Sequence, residues 1–202
     1  LGTTTVTVTA TDDEGNDTTC TFDVTVKDTT APAISCPANI AAECTSRSGA
    51  VVTYNAPTHS GNECNGDATL AYSKASGNTF PIGATTVICI ATDPAGNKST
   101  CSFTITVRDT TDPAITCATA PASVEATSSA GAAVSYGAAT ATDDGDDSVA
   151  ITYSAASGST FAIGTTTVTA TATDDSGNTA TCSFNVTVVD TTRNISHTSP
   201  YT

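Results

Sequence analysis

The sequence contains no tryptophan and no methionine, and it has few basic residues. Only 6 Lys and Arg stand against 20 Asp and Glu in 202 residues, which gives a formal net charge of −14. Because contacts to phosphate groups need basic side chains, nucleic acid is not expected as a partner. A cation or a basic surface suits this charge better. The lack of methionine fits a mature segment of a longer precursor, and an interior fragment would look the same.

Long apolar runs are also missing. None approaches the roughly 20 residues that a membrane-spanning helix needs, and no signal peptide is present, so we expect no membrane insertion. What the sequence has instead is one segment that occurs three times, from Thr4 to Asp28, from Thr85 to Asp109 and from Thr166 to Asp190. The three copies are 81 residues apart (109 − 28 = 190 − 109 = 81). This period is too long for a solenoid repeat and has the length of a small domain.

Each copy has the pattern of two strands joined by a turn. In the third copy, Val168, Ala170 and Ala172 alternate with threonines, as in a half-buried strand. The stretch from Asp174 to Asn178 then contains residues that tolerate positive φ. The next strand places its apolar residues on one face: Cys182, Phe184, Val186 and Val188. The pattern predicts a β-hairpin and, with further short strands upstream, an all-β antiparallel sandwich.

Eight cysteines in small all-β units indicate an oxidising compartment, and therefore an extracellular or cell-surface protein. Cys36 opens one unit and Cys101 lies in its last strand, and Cys117 and Cys182 repeat this arrangement one period later. We predict the disulfides Cys36–Cys101 and Cys117–Cys182, each worth about 4 kcal/mol in the chain-entropy picture. The competing interpretation is a cytosolic protein with reduced, buried thiols, which the matched register does not favour.

The period divides the chain into four predicted segments: the final hairpin of an incomplete unit (1–27), two complete units (28–109 and 110–191) and a tail (192–202). In the first segment Cys20 has no upstream partner. Either the chain is an excerpt from a longer array, or another molecule supplies the missing strands. Short linkers containing Pro32 and Pro113 give limited flexibility, so we expect an extended rod.

Several motifs resemble a known family. They occur in order at Ile34 to Pro37, Gly77 to Val87, Ala91 to Asp93, Gly96-Asn97 and Cys101 to Phe103. Together they closely resemble the hyalin repeat, or HYR domain, and the resemblance covers about residues 1 to 190. The last unit departs at Ala118 and Ala162, where the central unit has proline. The resemblance implies tandem immunoglobulin-like sandwiches, an extracellular role in adhesion or matrix, and no catalysis.

The resemblance also bears on three further cysteines of the central unit. Related repeats often bridge the positions of Cys44 and Cys64, so we assign that pair. They also often pair the position of Cys89 with a cysteine at the position of Tyr72. Because a tyrosine occupies that position here, Cys89 is expected to be an unpaired, buried thiol.

Catalytic and zinc chemistry find little support. The sequence has only two histidines, His59 and His197, and neither lies in a motif. A nucleophilic pair of Cys89 with His59 would require a core-facing thiol to meet a loop imidazole. Zinc is not expected either, because the cysteines lie at disulfide spacings without a nearby histidine. We therefore predict that the chain is not an enzyme.

Calcium is the one cofactor that the sequence suggests. The candidate ligands lie in one loop of the last unit: Asp143, Asp144, Asp146 and Asp147. Further carboxylates lie in the hairpin turn (Asp174 and Asp175) and in the linker (Asp109 and Asp112). Hard cations prefer several carboxylate oxygens on flexible loops. No EF-hand spacing is present, and the competing interpretation is a set of acidic, solubilising loops.

Two kinds of glycosylation motif occur. Four asparagines begin N-linked sequons: Asn16, Asn97, Asn185 and Asn194. Five hydroxyl residues follow an aspartate, in a pattern that resembles the acceptor of bacterial O-glycosylation: Thr18, Thr29, Thr110, Thr191 and Ser148. The competing interpretation is turn chemistry, in which the aspartate caps the bend.

A departure from the repeat suggests a contact surface. The outward positions of the first hairpin strand hold threonines in the first and third copies, but Ile88 and Ile90 in the central copy. Two adjacent exposed isoleucines are typical of an interface, although they would also fit beneath a loop or glycan of the same domain. The leading hypothesis is a structural or adhesive module of a secreted tandem-repeat protein, including the subunit of an extracellular filament. Its partners would be copies of itself, neighbouring repeats or glycans. The alternative is a carbohydrate- or cation-dependent binding module attached to an exoenzyme.

Overall fold

The computed structural model describes residues 1–60 and 66–192, and this part of the chain is built from β-strands. No helix in it is long and apolar enough to cross a membrane. The strands are β1 (Gly2–Thr11), β2 (Asp17–Val26), β3 (Ala33–Ser35), β4 (Ile40–Glu43), β5 (Ala50–Val51), β6 (Thr58–Ser60), β7 (Thr69–Tyr72), β8 (Thr79–Phe80), β9 (Gly83–Thr92), β10 (Lys98–Arg108), β11 (Ala114–Thr116), β12 (Val124–Glu125), β13 (Ala132–Ala133), β14 (Thr140–Thr142), β15 (Ala150–Tyr153), β16 (Thr160–Phe161), β17 (Gly164–Thr173) and β18 (Thr179–Val189). The predicted all-β class is confirmed.

The chain forms two compact units. The first comprises Leu1–Ala42 and Ala50–Arg108, and the second comprises Glu43–Gly49 and Asp109–Thr202. Strands β4, β10, β9 and β7 form a four-stranded sheet in that order, beside the two-stranded ladders β3–β6 and β5–β8. In the second unit, β12, β18, β17 and β15 form the same sheet, beside β11–β14 and β13–β16. The repeated order confirms an immunoglobulin-like sandwich. In the second unit, β12 pairs with β18 in a parallel arrangement.

The hairpins follow the predicted pattern. β17 and β18 pair from Gly164 opposite Val188 to Thr173 opposite Thr179, so the connection is the expected stretch after Thr173. The turn closes when the N–H of Gly177 donates to the carbonyl of Asp174 at 3.3 Å. Gly177 has φ of +92°, which residues with a Cβ rarely adopt, and this explains the glycine in all three copies.

Alternation along the strands builds the core of the second unit. Phe184 and Val186 are 8% and 0% exposed, whereas Asn185 between them is exposed. These side chains pack against Val134 and Phe161 from the facing layer. Each such side chain contributes about 1.5–3 kcal/mol on burial. The small apolar residues of the sequence therefore suffice for a core because both layers supply them.

Disulfides join the two layers of each complete unit, as predicted. Cys36, directly after β3, bonds to Cys101 on β10. Cys117, directly after β11, bonds to Cys182 on β18. Both bridges span 65 residues of sequence. Each therefore restrains almost a whole unit in the unfolded chain.

The first hairpin differs from its two later copies. On β2, Phe22, Val24 and Val26 are 53%, 45% and 57% exposed. The equivalent Phe103 and Ile105 on β10 are 3% and 0% exposed. The same sequence pattern thus forms a hairpin in both places, but only the later copies have a facing layer that buries it.

Removal of one disulfide should destabilise its unit without changing its fold. We expect the double variant Cys117→Ala/Cys182→Ala to lose about 4 kcal/mol of unfolding free energy in urea titrations, because its unfolded chain gains conformational freedom. Cys20→Ala is the matched control, since Cys20 is exposed and unpaired. Free thiols at Cys117 and Cys182 in non-reducing mass spectrometry would contradict the pairing.

Candidate functional site

Four aspartates converge in the second unit. Asp109 precedes β11, Asp143 and Asp146 lie between β14 and β15, and Asp174 opens the turn between β17 and β18. Ligand oxygens of the four carboxylates all lie within 4.8 Å of one another. The linker, a loop and a hairpin turn, which are remote in sequence, thus bring four negative charges together.

This cluster shares only two residues with the acidic loop that the sequence predicts as a calcium site. Asp143 and Asp146 belong to it, whereas Asp144 is exposed and Asp147 forms an ion pair with Arg47. Asp109 from the linker and Asp174 from the turn complete the group. The loop supplies two of the four carboxylates of the cluster. The run of aspartates in the loop therefore does not by itself predict which carboxylates lie close together.

Asp174 is held by the turn that it opens. One of its oxygens accepts a hydrogen bond from the backbone N–H of Asn178, and the other accepts one from the Asn178 side-chain amide, both at 2.7 Å. Burial acts to raise the pKa of Asp174, but these hydrogen bonds and those from the backbone of Gly177 and Ser176 outweigh it and lower the pKa. The carboxylate is therefore held in its charged form and in a fixed orientation.

Asp109 and Asp174 are the two buried members of the cluster. The exposed fraction of Asp109 is 7%, and its Oδ1 accepts a hydrogen bond from the N–H of Thr111 at 3.2 Å. Its Oδ2 is buried and receives no hydrogen bond from the described residues. A Cβ on Gly145 would lie 2.0 Å from this oxygen, so only glycine lets the acidic loop approach Asp109 so closely.

The two loop aspartates point one oxygen each at a backbone donor. Asp143 Oδ1 accepts from the N–H of Gly145 at 2.7 Å, and Asp146 Oδ2 accepts from the N–H of Asp175 at 2.9 Å. The Gly145 bond acts to lower the pKa of Asp143, but burial and the charges of Asp109, Asp174 and Asp146 raise it overall. The raised pKa of Asp143 thus reflects, in part, electrostatic repulsion from the other three carboxylates of the cluster.

Cys44 lies beside the cluster as a buried thiol. Burial raises its pKa to about 11, and the negative charges of Asp109, Glu43 and Asp143 act in the same direction. Its predicted partner Cys64 lies outside the described residues, so the pair Cys44–Cys64 stays a prediction.

The thiol of Cys89 and the imidazole of His59 differ in burial. Cys89 is fully buried, opposite Tyr72 on β7 and Cys101 on β10, and burial raises its pKa. Cys89 is thus an unpaired, buried thiol, as expected, and Tyr72 lies directly opposite it on the neighbouring strand. His59 is exposed on β6, and His197 lies outside the described residues.

The sequon asparagines occupy different environments. The side-chain amide of Asn97 donates to the carbonyls of Asp28 and Thr30 at 3.3 and 3.4 Å, and to Asp93 at 2.9 Å. A glycan on Asn97 would replace part of this hydrogen bonding. Asn16 makes one such bond, to Asp12 at 2.9 Å.

Asn185 is exposed on β18, and only its Oδ1 has a bond, from Thr167 at 3.0 Å. Its amide nitrogen is therefore better placed for a glycan than that of Asn97. Asn194 lies outside the described residues. Occupancy of all four sequons stays a prediction.

Two of the predicted hydroxyl acceptors serve a structural role. The hydroxyl of Thr110 donates to Glu43 at 2.8 Å, and that of Thr191 donates to Glu125 at 2.7 Å. Hydrogen bonds from the threonine side chain and backbone lower the pKa of Glu125. The other three, which are Thr18, Thr29 and Ser148, are exposed. Glycosylation at these positions stays a prediction.

The isoleucines of the predicted contact patch differ in exposure. Ile88 is 47% exposed, and Ile90 is half-buried between Ala71 on β7 and Thr100 on β10. Val87, Cys89 and Ala91 fill the opposite face at 0% exposure. Ile88 is therefore the more accessible half of the patch.

Comparisons with known proteins agree with this architecture. The chain matches the HYR domain twice in tandem, over residues 27–107 and 108–188. It is 44% identical over 114 residues to hyalin of Strongylocentrotus purpuratus, which is 53% of this chain but only 9% of hyalin. The chain thus spans a small part of that relative's length.

Among solved structures, extracellular cadherin domains 3–6 of protocadherin gamma B2 align with 94% of this chain and 61% of theirs, at 13% identity and a TM-score of 0.39. Domains EC1–3 of mouse protocadherin-24 align with 95% of this chain and 80% of theirs, at 18% identity and a TM-score of 0.35. At these TM-scores the likeness carries no argument about this chain. The two tandem matches cover most of the sequence, and the chain belongs to the HYR domain family.

Proposed function

We propose that this chain is a non-catalytic structural or adhesive segment of a secreted tandem-repeat surface protein. The observation that carries this proposal is the tandem match to the HYR domain over residues 27–107 and 108–188. The disulfide in each complete unit supports an extracellular setting, because such bonds persist in oxidising compartments. The similarity to hyalin points the same way.

We further propose that copies of the chain associate with one another, as the subunits of an extracellular filament would. The support is the outer face of the sheet formed by β4, β10, β9 and β7. On this face, Ile88 and Ile90 of β9 stand where the next repeat has the hydroxyl residues Thr169 and Thr171. Because Ile88 is 47% exposed and Ile90 is already half-buried, burial of their remaining surface would contribute about 1.5–3 kcal/mol in total. A contact of this free energy is weak by itself. Repeated between many copies in an array, it would strengthen the overall association.

Substitution of the patch should weaken association while the domain stays folded. We expect Ile88→Thr/Ile90→Thr to reduce self-association in sedimentation velocity at least tenfold in dissociation constant, because the apolar contact is lost. Threonine already occupies the equivalent positions of the second unit and suits a strand. Unchanged circular dichroism would show that the fold is retained.

Ile163→Thr is the matched control, because Ile163 is 47% exposed, the same fraction as Ile88, but lies outside the patch. We expect this variant to associate like the parent. Equal association of the parent and the double variant would contradict the patch as the interface. Specific binding of a polysaccharide by a monomeric parent would instead favour the alternative, a binding module attached to an exoenzyme.

A further inference from the structure

We propose that Asp109, Asp143, Asp146 and Asp174 bind a calcium ion in the second unit. This proposal is independent of the adhesive role. It rests on the convergence of the four carboxylates, whose ligand oxygens lie within 4.8 Å of one another, and on a second feature of Asp109.

The second feature is a buried oxygen that lacks a donor. Asp109 is 7% exposed, and its Oδ2 receives no hydrogen bond in the part of the chain that the structure describes. A buried, charged oxygen without a partner is costly to the fold. Ligand oxygens of Asp109 and of the other three carboxylates lie within 4.8 Å of one another. Ionised carboxylates only accept hydrogen bonds, so the cluster supplies no donor for this oxygen, whereas a cation would satisfy it.

The backbone around the cluster holds the carboxylates in place. Gly145, Asp175 and Asn178 donate to Asp143, Asp146 and Asp174 at 2.7–2.9 Å. Each aspartate is thus oriented by the chain and still has oxygen lone pairs for a ligand. A pocket of about 120 Å³ borders Asp143 and Asp146.

The donor set selects the ion. Four carboxylates from three connections between strands suit calcium, which accepts six to eight oxygens in variable geometry. Magnesium requires a tighter octahedral arrangement and retains its waters. Zinc prefers sulfur and nitrogen ligands, whereas the four ligands proposed here are all carboxylates.

The full chain provides the test, by calorimetric melting in 1 mM EDTA and then in calcium chloride or magnesium chloride. At about a hundredfold excess of calcium over its dissociation constant, we expect a rise of roughly 10 °C in the Tm of the second unit. Magnesium should give a smaller rise. In ¹⁵N spectra, calcium should shift the amide signals of Gly145 and Asp175, which donate to two of the ligands.

Two isosteric variants separate a binding site from a set of structural hydrogen bonds. Asp143→Asn and Asp146→Asn keep an oxygen that accepts from Gly145 and from Asp175, but each removes one charge. In EDTA each should melt at the same temperature as the parent or above it, because repulsion falls. Both should lose most of the calcium-dependent rise. Asp144→Asn, an exposed neighbour in the same loop, is the control and should respond like the parent.

Three outcomes would overturn the proposal. One is an equal Tm of the parent in EDTA and in calcium, together with unshifted amide signals of Gly145 and Asp175. Another is a calcium response that survives in both Asp143→Asn and Asp146→Asn. The third is a stabilisation by magnesium that equals or exceeds the stabilisation by calcium, which would assign the cluster to a different ion. Each result leaves the adhesive role untouched, because self-association is measured separately.

Discussion

The bond between the first and last strand of each repeat is the constraint on which the rest depends. Tryptophan and methionine are absent, so the core consists of valines, alanines and a few phenylalanines. The bridges Cys36–Cys101 and Cys117–Cys182 hold the two thin layers together across this modest core. With the layers fixed, the long hairpin can carry variable residues on its outer face and an acidic group at its turn.

The alternation of the hairpin strands and the cysteine register could be predicted from the sequence, because both depend on short-range periodicity. The turn after Thr173 and the burial of Val186 follow from the same pattern. The exposure of Phe22 could not be read from the pattern alone, since the first copy has the same residues as the buried ones. Burial there depends on a facing layer, which periodicity does not encode.

The acidic group shows where prediction from one sequence stops. The run of aspartates after Thr142 is visible in the sequence, but Asp144 is exposed and Asp147 pairs with Arg47, and neither belongs to the cluster. Asp109 joins it because the Asn178 amide donates to the Asp109 carbonyl at 3.3 Å and so holds the linker against the hairpin turn. The sequence gives one indication of this long-range contact, because the linker aspartate and the turn aspartate recur in each copy. This recurrence does not show which loop aspartates lie close to them.

We propose that the chain serves contact between molecules. A bead-clustering assay tests this most directly, with the full chain coupled to beads under oxidising conditions. We expect coated beads to cluster with one another and soluble chain in excess to disperse them. Coated beads that stay dispersed at every density, with the disulfides intact, would contradict it.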